Sequence, residues 1–243
     1  MFYEPRKKNH GLPHDPYTAI VGPRPIGWIS SMNLKGEINL APYSFFNSIS
    51  SDPPMVMFAS DGRKDTLEFV EETKEFVCNL AVWDLRDQMK ETSWTHPRGV
   101  NEMEVSGLEA APSVMVKPPR VSASPCALEC KWLQTVRLID IDGNPAARFI
   151  VFGQVIGIHI DERFIKDGLL DTAAMKPIAR RLPGLLRHDR RRAIFPSLCP
   201  ESRERTATPQ RPWRVDDWTM DSAGPSAVSF AYGLGISAAI TPA

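Results

Sequence analysis

Aromatic and polar side chains adjoin each other in the first third of the chain. Phe45 and Phe46 come directly before Asn47 and Ser48, and two more serines follow at positions 50 and 51. A flat heteroaromatic ligand needs such a mixture of aromatic surface, amide and hydroxyl groups. The same residues also fit an Asn/Ser turn between two strands whose phenylalanines lie in the core. The pattern alone leaves both interpretations open.

Residues 60–66 carry side chains of the kinds that bind phosphate in proteins. They are Ser60, Asp61, Gly62, Arg63, Lys64, Asp65 and Thr66. Two adjacent cations, a glycine and hydroxyl groups meet the unpaired N–H groups of a helix predicted to start near Asp65. Such a helix start attracts anions without any net charge on the protein. The alternative is a solvated turn with an ordinary helix cap.

Several well-known sites are excluded because their motifs are missing. Glycines at positions 22 and 27 are spaced like those of a phosphate loop, but two prolines lie between them and no Lys-Ser/Thr follows. The sequence contains no GxGxxG, GxSxG or HExxH motif, so it predicts no separate Rossmann unit, serine-hydrolase elbow or zinc-protease site. The four cysteines form no CxxC pair. We therefore predict a reduced compartment and no metal site.

Charge and hydropathy further narrow the function classes. The chain has 29 Lys and Arg against 29 Asp and Glu, so it lacks the electrostatic footprint of a nucleic-acid binder. Its apolar runs are far shorter than the ~20 residues that span a bilayer. The basic cluster near the start has no apolar stretch after it, unlike a signal peptide. We therefore expect a cytoplasmic protein that binds neither nucleic acid nor membrane.

The first 180 residues are predicted to form a mainly β domain. Strands are expected at residues 27–32, 38–41, 55–60, 128–138 and 149–160, and helices at residues 65–74, 84–92 and 171–180. Turn signals at residues 33–36 and 140–143 predict two hairpins. Asp65 and Glu68 resemble a capping box, with Asp65 as the N-cap. Because no βαβ repeat occurs, an antiparallel barrel with peripheral helices is expected.

Residue usage changes abruptly after position 180. All ten lysines lie before this point, whereas residues 181–243 are rich in arginine and proline and show no period of 2 or 3.6. We expect residues 181–243 to form a divergent, poorly ordered tail. A shifted reading frame would produce the same change, and the sequence alone does not decide between the two interpretations.

Four motifs occur in order along residues 23–66. They are Pro-Arg-Pro-Ile-Gly-Trp-Ile-Ser-Ser at 23–31, Asn-Leu-Ala-Pro-Tyr-Ser-Phe-Phe-Asn at 39–47, Asp-Pro-Pro at 52–54 and Lys-Asp-Thr at 64–66. Together they resemble the flavin reductase-like, FMN-binding split-barrel family that includes flavoredoxin. Residues 152–160 and 170–180 resemble it too, so the likeness covers about residues 15–180. It implies an antiparallel, Greek-key split β-barrel with peripheral helices.

The resemblance also implies which residues contact FMN. Those expected along the isoalloxazine ring and ribityl chain are Trp28, Ser30, Ser44, Phe46, Asn47 and Ser48. Ser60, Lys64 and Thr66 would hold the FMN phosphate, and the helix that begins near Asp65 would add its unpaired amides. His159 matches a recurrent family histidine and would lie near flavin or substrate. A satisfied histidine at a strand end is the alternative for His159.

An FMN-binding oxidoreductase is the function that this resemblance implies. The expected reaction is flavin reduction by NADH or NADPH, or flavin-mediated electron transfer, with an oxygenase or another electron acceptor as a partner. No catalytic side chain is nominated, because the hydride chemistry belongs to the cofactor. The alternatives are a non-catalytic FMN-binding electron carrier or flavin store, and an inactive product whose altered end prevents flavin retention. The resemblance further implies a homodimer with flavin near the subunit boundary.

Overall fold

The computed structural model describes residues 1–180. Its strands are β1 (Arg24–Pro25), β2 (Gly27–Met32), β3 (Ile38–Tyr43), β4 (Phe46–Ser51), β5 (Pro54–Asp61), β6 (Glu75–Leu80), β7 (Ala110–Ala111), β8 (Arg120–Val121), β9 (Cys126–Ile139), β10 (Pro145–Ile160), β11 (Ile165–Lys166), β12 (Leu169–Leu170) and β13 (Ala179–Arg180). The tail predicted for residues 181–243 lies outside the described residues.

Short helices surround the strands. The α-helices are α1 (Tyr17–Ile20), α2 (Asp65–Thr73), α3 (Arg86–Glu91), α4 (Glu102–Val105) and α5 (Thr172–Met175), and 3-10 turns occur at Trp83–Leu85 and Glu162–Phe164. In residues 1–180, no helix has both the length and the apolar character needed to cross a membrane.

Seven strands form one antiparallel sheet in the order β3-β2-β6-β9-β10-β5-β4. The two outermost strands, β3 and β4, are neighbours in the chain and are joined through Ser44 and Phe45, a connection that we call the seam. The Ala59 N–H donates to the Phe45 carbonyl at 2.8 Å, which ties the seam to β5. The sheet therefore curls until its ends meet without a ladder between them. The prediction of a mainly β, antiparallel split barrel is confirmed.

Alternation along β2 and β3 creates two cores. Ile29 and Tyr43 point into the barrel, where Phe58, Phe76 and Val151 lie with the α2 side chains Leu67 and Val70. Trp28 and Leu40 point to the opposite face and pack with Met89 of α3 and Met103 of α4. Because successive strand residues face opposite sides, a shift of one position exchanges the two cores.

Residues 113–121, which we call the strap, are fastened to the sheet by buried polar groups. The Glu129 carboxylate accepts hydrogen bonds from the Val114, Met115 and Val116 amides at 2.6–3.1 Å. The Asn79 side chain accepts from the Val121 amide at 2.8 Å. Since the strap lacks a long ladder of its own, these side chains satisfy backbone groups that burial would otherwise leave unpaired.

The helix prediction for residues 171–180 is wrong in most of its length. Helix α5 ends at Met175, Lys176 takes a left-handed φ of 52°, and the chain continues to β13. Pro177 cannot supply a helical N–H, so the helix has no continuation there. The strand β13 pairs with β1 instead, with Arg180 opposite Arg24.

Candidate functional site

An open cavity of about 720 Å³ lies beside the seam. Its wall comes from β3, the seam, the start of α2 and the segment 92–98, with Arg148 from β10 and Arg180 from β13. This volume is within the usual range of small-molecule sites. Charged side chains on the described wall are Arg24, Lys64, Arg98, Arg148 and Arg180 against Asp61, Asp65 and Glu102. Cations therefore exceed carboxyl groups on this wall.

The N-terminus of helix α2 opens into the cavity without a side-chain cap. Lys64 is at the N-cap position with an extended backbone, and its side chain caps nothing. The first N–H groups of a helix have no partner within the helix. The Lys64 ammonium itself forms no hydrogen bond or ion pair with any residue in 1–180. Asp65 is the first helical residue rather than the cap, and its carboxylate faces Arg98 at 3.7 Å.

Thr66 is buried next to this helix start with its hydroxyl set up as a donor. The Asn39 side-chain amide donates to Thr66 Oγ1 at 2.7 Å. This contact occupies an acceptor lone pair of the hydroxyl and leaves its own proton free for another acceptor. Among the described residues, the Tyr43 hydroxyl is the one group near enough to compete for that proton. Thr66 can therefore donate to a ligand oxygen in the cavity.

Two further polar atoms on the wall are buried without a partner. The Tyr43 residue is 7% exposed, and its hydroxyl has no well-formed hydrogen bond in residues 1–180, although the Thr66 and Ser60 hydroxyls lie beside it and favour its ionised form. Burial raises the pKa of this phenol, so it stays a protonated donor. His96 Nε2 is likewise buried and unpartnered. Buried polar atoms without partners are rare and indicate a missing ligand or water.

Glu102 of α4 also lines the cavity. Its carboxylate accepts from the Leu40 amide at 3.0 Å. Burial raises the pKa of Glu102, and the Leu40 amide and the nearby His96 oppose that shift. This carboxyl group therefore ionises less readily than an ordinary glutamate.

Arginines surround the seam at the other part of the wall. The guanidinium carbons of Arg24 and Arg148 lie 5.1 Å and 5.3 Å from the centre of the Phe45 ring. Arg180 Nη1 donates to Ser44 Oγ at 3.4 Å. Trp94 contributes an indole that is 62% exposed. The cavity thus combines cations, hydroxyl groups and aromatic surface.

Four of the side chains predicted from the sequence line this cavity: Ser44, Lys64, Asp65 and Thr66. The structure brings them together from the seam and from the first turn of α2. Their contact with FMN stays a prediction.

Trp28 and Ser30 do not lie on the cavity wall. Both are fully buried on the face of β2 opposite Ile29. The Trp28 indole donates to Thr92 Oγ1 at 2.9 Å, and the Ser30 hydroxyl donates to the strap carbonyl of Pro119 at 2.5 Å. Strand alternation turns both side chains toward the outer core and the strap, and their contact with the flavin ring stays a prediction.

Phe46, Asn47, Ser48 and Ser60 are also placed off the wall. The Phe46 ring packs over Gly27, where a Cβ would come within 2.5 Å of Phe46 Cδ2. Asn47 and Ser48 are exposed on the edge strand β4. The fully buried Ser60 donates its proton to the Gly62 carbonyl at 2.9 Å, so it shapes the turn before α2. None of these four side chains lines the cavity, and their contact with FMN stays a prediction.

His159 binds the carboxylate that holds the strap. Its Nε2 lies 2.5 Å from Glu129 Oε1, and the Glu129 side chain has no exposed surface. His159 does not line the cavity. Its contact with Glu129 fits the alternative, a satisfied histidine at a strand end, and its position near flavin stays a prediction.

Sequence reasoning missed the wall formed by the segment 92–98. It contains Thr92, Ser93, Trp94, Thr95, His96 and Arg98. The signal that marked residues 45–51, hydroxyl groups beside aromatic surface, is present here as well. Tyr43 and Arg148 carried no such signal, and each lies just outside a predicted strand, at residues 38–41 and 149–160 respectively. Within residues 1–180, no three His, Cys, Asp or Glu side chains are grouped so as to hold a metal ion.

Comparison with known proteins gives a consistent family. The profile of the flavin reductase like domain matches residues 22–179. An uncharacterized protein of Aquifex aeolicus is 34% identical over 168 residues, which cover 67% of this chain and 82% of that protein.

Two solved structures combine a similar fold with more than a quarter identical residues. Nitrilotriacetate monooxygenase component B from Bacillus cereus has a TM-score of 0.68 and 26% identity, covering 74% of this chain and 91% of that one. The 2-nitrobenzoate 2-nitroreductase NbaA from Pseudomonas fluorescens has a TM-score of 0.66 and 28% identity, covering 83% and 100%. The residues matched by the family profile include the cavity wall from Arg24 to Arg148.

Proposed function

The chain belongs to the flavin reductase-like family, and from this premise we propose that it is an FMN-binding oxidoreductase that reduces flavin with NADH or NADPH. The observation that carries the proposal is the uncapped start of α2, where the unpaired Lys64 ammonium and the Thr66 hydroxyl line one cavity. A phosphate group satisfies a cation, a hydroxyl donor and helix amides at the same time.

The residues on the wall fit FMN. Lys64, Thr66 and the first amides of α2 would hold its phosphate, and the unpartnered Tyr43 hydroxyl supplies a further donor beside them. Ser44 and the segment 92–96 would line the ring system, with Trp94 as aromatic surface. When bound, FMN supplies the acceptance and donation of hydride at its ring system. The chain's own residues bind and orient the cofactor.

A role as a reductase that passes reduced flavin to an oxygenase is supported by one likeness. The Bacillus cereus protein is a component of a monooxygenase. An open cavity suits a reductase that releases its reduced flavin to a second protein.

The test starts with freshly purified protein. We expect a yellow protein, or one that becomes yellow with FMN, and rapid oxidation of NADH or NADPH once FMN is present. A protein that binds FMN but is reduced only by a protein donor would instead be an electron carrier or flavin store. A colourless protein that binds no flavin would contradict both, and would fit an inactive product.

A further inference from the structure

Two arginines face each other across the short ladder formed by β1 and β13. Arg24 and Arg180 are direct cross-strand partners. Like charges in that position destabilise a strand pair. Neither guanidinium forms an ion pair with a carboxylate in residues 1–180, and both line the cavity. An anion from outside the described chain would relieve this repulsion.

The Arg24 guanidinium is held in place by the backbone. Its Nε donates to the Ser44 carbonyl at 3.2 Å, and its Nη1 donates to the Thr18 and Val21 carbonyls at 2.6 Å or less. Nη2 has no partner in the described chain. A side chain fixed in this way loses little rotamer freedom when it binds a ligand.

Arg148 adds a third guanidinium from β10. It approaches the Phe45 ring, as Arg24 does, and lies 3.4 Å from an Asp61 carboxylate that is 58% exposed. An exposed ion pair of this kind is weak. The Arg148 charge therefore stays available to a ligand at the seam.

We propose that Arg24, Arg148 and Arg180, which we call the arginine cluster, form a second anion subsite, separate from Lys64. This subsite binds a carboxylate or phosphate group of a second ligand, the one that exchanges electrons with the bound flavin. The proposal rests on the proposed function only in assigning the flavin phosphate to Lys64. Planar guanidinium groups suit this chemistry because they bind both oxygens of an oxyanion in parallel.

Two sources could supply the oxyanion. One is a phosphate of the nicotinamide dinucleotide, and the other is the carboxylate of an aromatic acceptor. The first probe is NADP⁺ and the second is benzoate. Both are titrated against the FMN-loaded protein by calorimetry, and against the flavin-free protein if no flavin binds.

Arg180→Gln is the test variant, because Arg180 is exposed and its loss leaves the backbone contacts of Arg24 intact. The matched control is Arg163→Gln, an exposed arginine that pairs with Asp161 and does not line the cavity. We expect Arg180→Gln to weaken at least one probe about tenfold or more, while Arg163→Gln leaves both unchanged. Loss for NADP⁺ alone identifies the dinucleotide, loss for benzoate alone an aromatic acceptor, and loss for both a shared subsite.

Thermal unfolding supplies a second readout. In probe-free buffer at low salt, Arg180→Gln should have a higher Tm than the unmodified protein, because it removes the repulsion from Arg24. It should also lose the rise in Tm that the bound probe gives the unmodified protein. A lower Tm in probe-free buffer would show that Arg180 acts only by holding Ser44, and would overturn the proposal.

Two binding results would also overturn it. In the first, the unmodified protein and Arg180→Gln bind each probe with equal affinity, or neither protein binds either probe. The other is a loss of FMN affinity with unchanged riboflavin affinity, which would assign the arginine cluster to the flavin phosphate. Failure of flavin binding affects the proposed function alone, since both probes are then tested on the flavin-free protein.

Discussion

Lys64 provides the most direct test of the phosphate end of the cavity. Replacing it by alanine removes one charge-assisted contact, which should weaken FMN by about 1.5–3 kcal/mol, or roughly 10- to 150-fold. Riboflavin lacks the phosphate and should bind almost unchanged. Quenching of flavin fluorescence measures both affinities. Lys35→Ala, at the exposed β2–β3 turn, is the control, and equal weakening of both ligands by Lys64→Ala would show that Lys64 does not meet the phosphate.

Glu129 should make the free energy of unfolding depend on pH. Burial raises the pKa of its carboxyl group, but the hydrogen bonds from His159 and from the Val114 and Met115 amides outweigh burial and lower the pKa overall. A lowered pKa in the folded state adds stability above the ordinary glutamate pKa, and that stability is lost as pH falls through the lowered value. The ionised group therefore holds the strap most firmly at neutral pH.

Glu129→Gln should lower the free energy of unfolding by about 3 kcal/mol at neutral pH, because a buried charge-assisted network loses its acceptor charge. The difference from the unmodified protein should shrink in acid, where Glu129 is protonated. Urea unfolding at a series of pH values measures this. Glu72→Gln, an exposed carboxylate on α2, should change little, and a pH-independent difference for Glu129→Gln would contradict the argument.

At the residue scale, local chemistry predicted part of the candidate site. Lys64 and Thr66 were found because a cation and a hydroxyl at a helix start have a physical meaning in sequence. Trp28, Ser30 and His159 lie off the cavity wall. A motif names a residue without saying which face of the strand it occupies. The alternation was readable, since Ile29 lies between Trp28 and Ser30, but which face carries the cavity is decided by distant elements such as the strap.

Among the elements, strand β10 packs closely at Gly153, where the barrel core leaves no room for a side chain. A Cβ on Gly153 would overlap Cζ of Phe76, whose ring is fully buried in the barrel core. Gly153→Ala should therefore lower the free energy of unfolding by about 1–3 kcal/mol. On the same strand, Gly157→Ala meets its nearest atom at 3.5 Å, an ordinary contact.

Thermal or urea unfolding of the two glycine variants tests this packing directly. Gly157→Ala should unfold close to the unmodified protein. If Gly153→Ala is as stable as Gly157→Ala, the Phe76 ring can move to accommodate the added methyl group. The barrel core would then be less tightly packed than we infer.

Elements with a local signal were predicted well. The turns at residues 33–36 and 140–143 correctly joined β2 to β3 and β9 to β10. The helix predicted after Asp171 failed because β13 gains a pairing partner, β1, that is more than 150 residues away in the chain. A ladder of that kind has no signature in the local pattern.

For the whole molecule, the long hairpin of β9 and β10 leaves apolar surface exposed. Exposed side chains on it include Leu133, Val136, Leu138, Ile158 and Ile160. Apolar surface of this kind marks an interaction site, and we expect it to pair with a second copy of the chain. Light scattering should give about twice the chain mass of 27.2 kDa. Leu133→Lys should shift the protein toward the monomer, and a monomer mass for the flavin-loaded protein would contradict the expectation.

Limited proteolysis tests the domain boundary predicted from the sequence. The arginine- and proline-rich composition of residues 181–243 predicts that cleavage occurs first between Arg181 and Arg214 and leaves a core that ends near Arg180. Mass spectrometry of the first fragments locates the cuts. If these residues resist protease as well as the barrel does, they form part of the folded domain and the boundary at residue 180 is wrong.

The seam has a consequence for how the fold can be adapted. In a closed barrel, the number of strands and the stagger of their ladder together fix the diameter. Here β3 and β4 meet through a covalent connection at Ser44 and Phe45 and share no ladder. The opening angle at these two residues can change while every strand keeps its partners. The diameter next to the cavity is therefore an adjustable dimension of the architecture, set by side chains at the seam, and substitutions there can fit wider or narrower ring systems into an unchanged sheet.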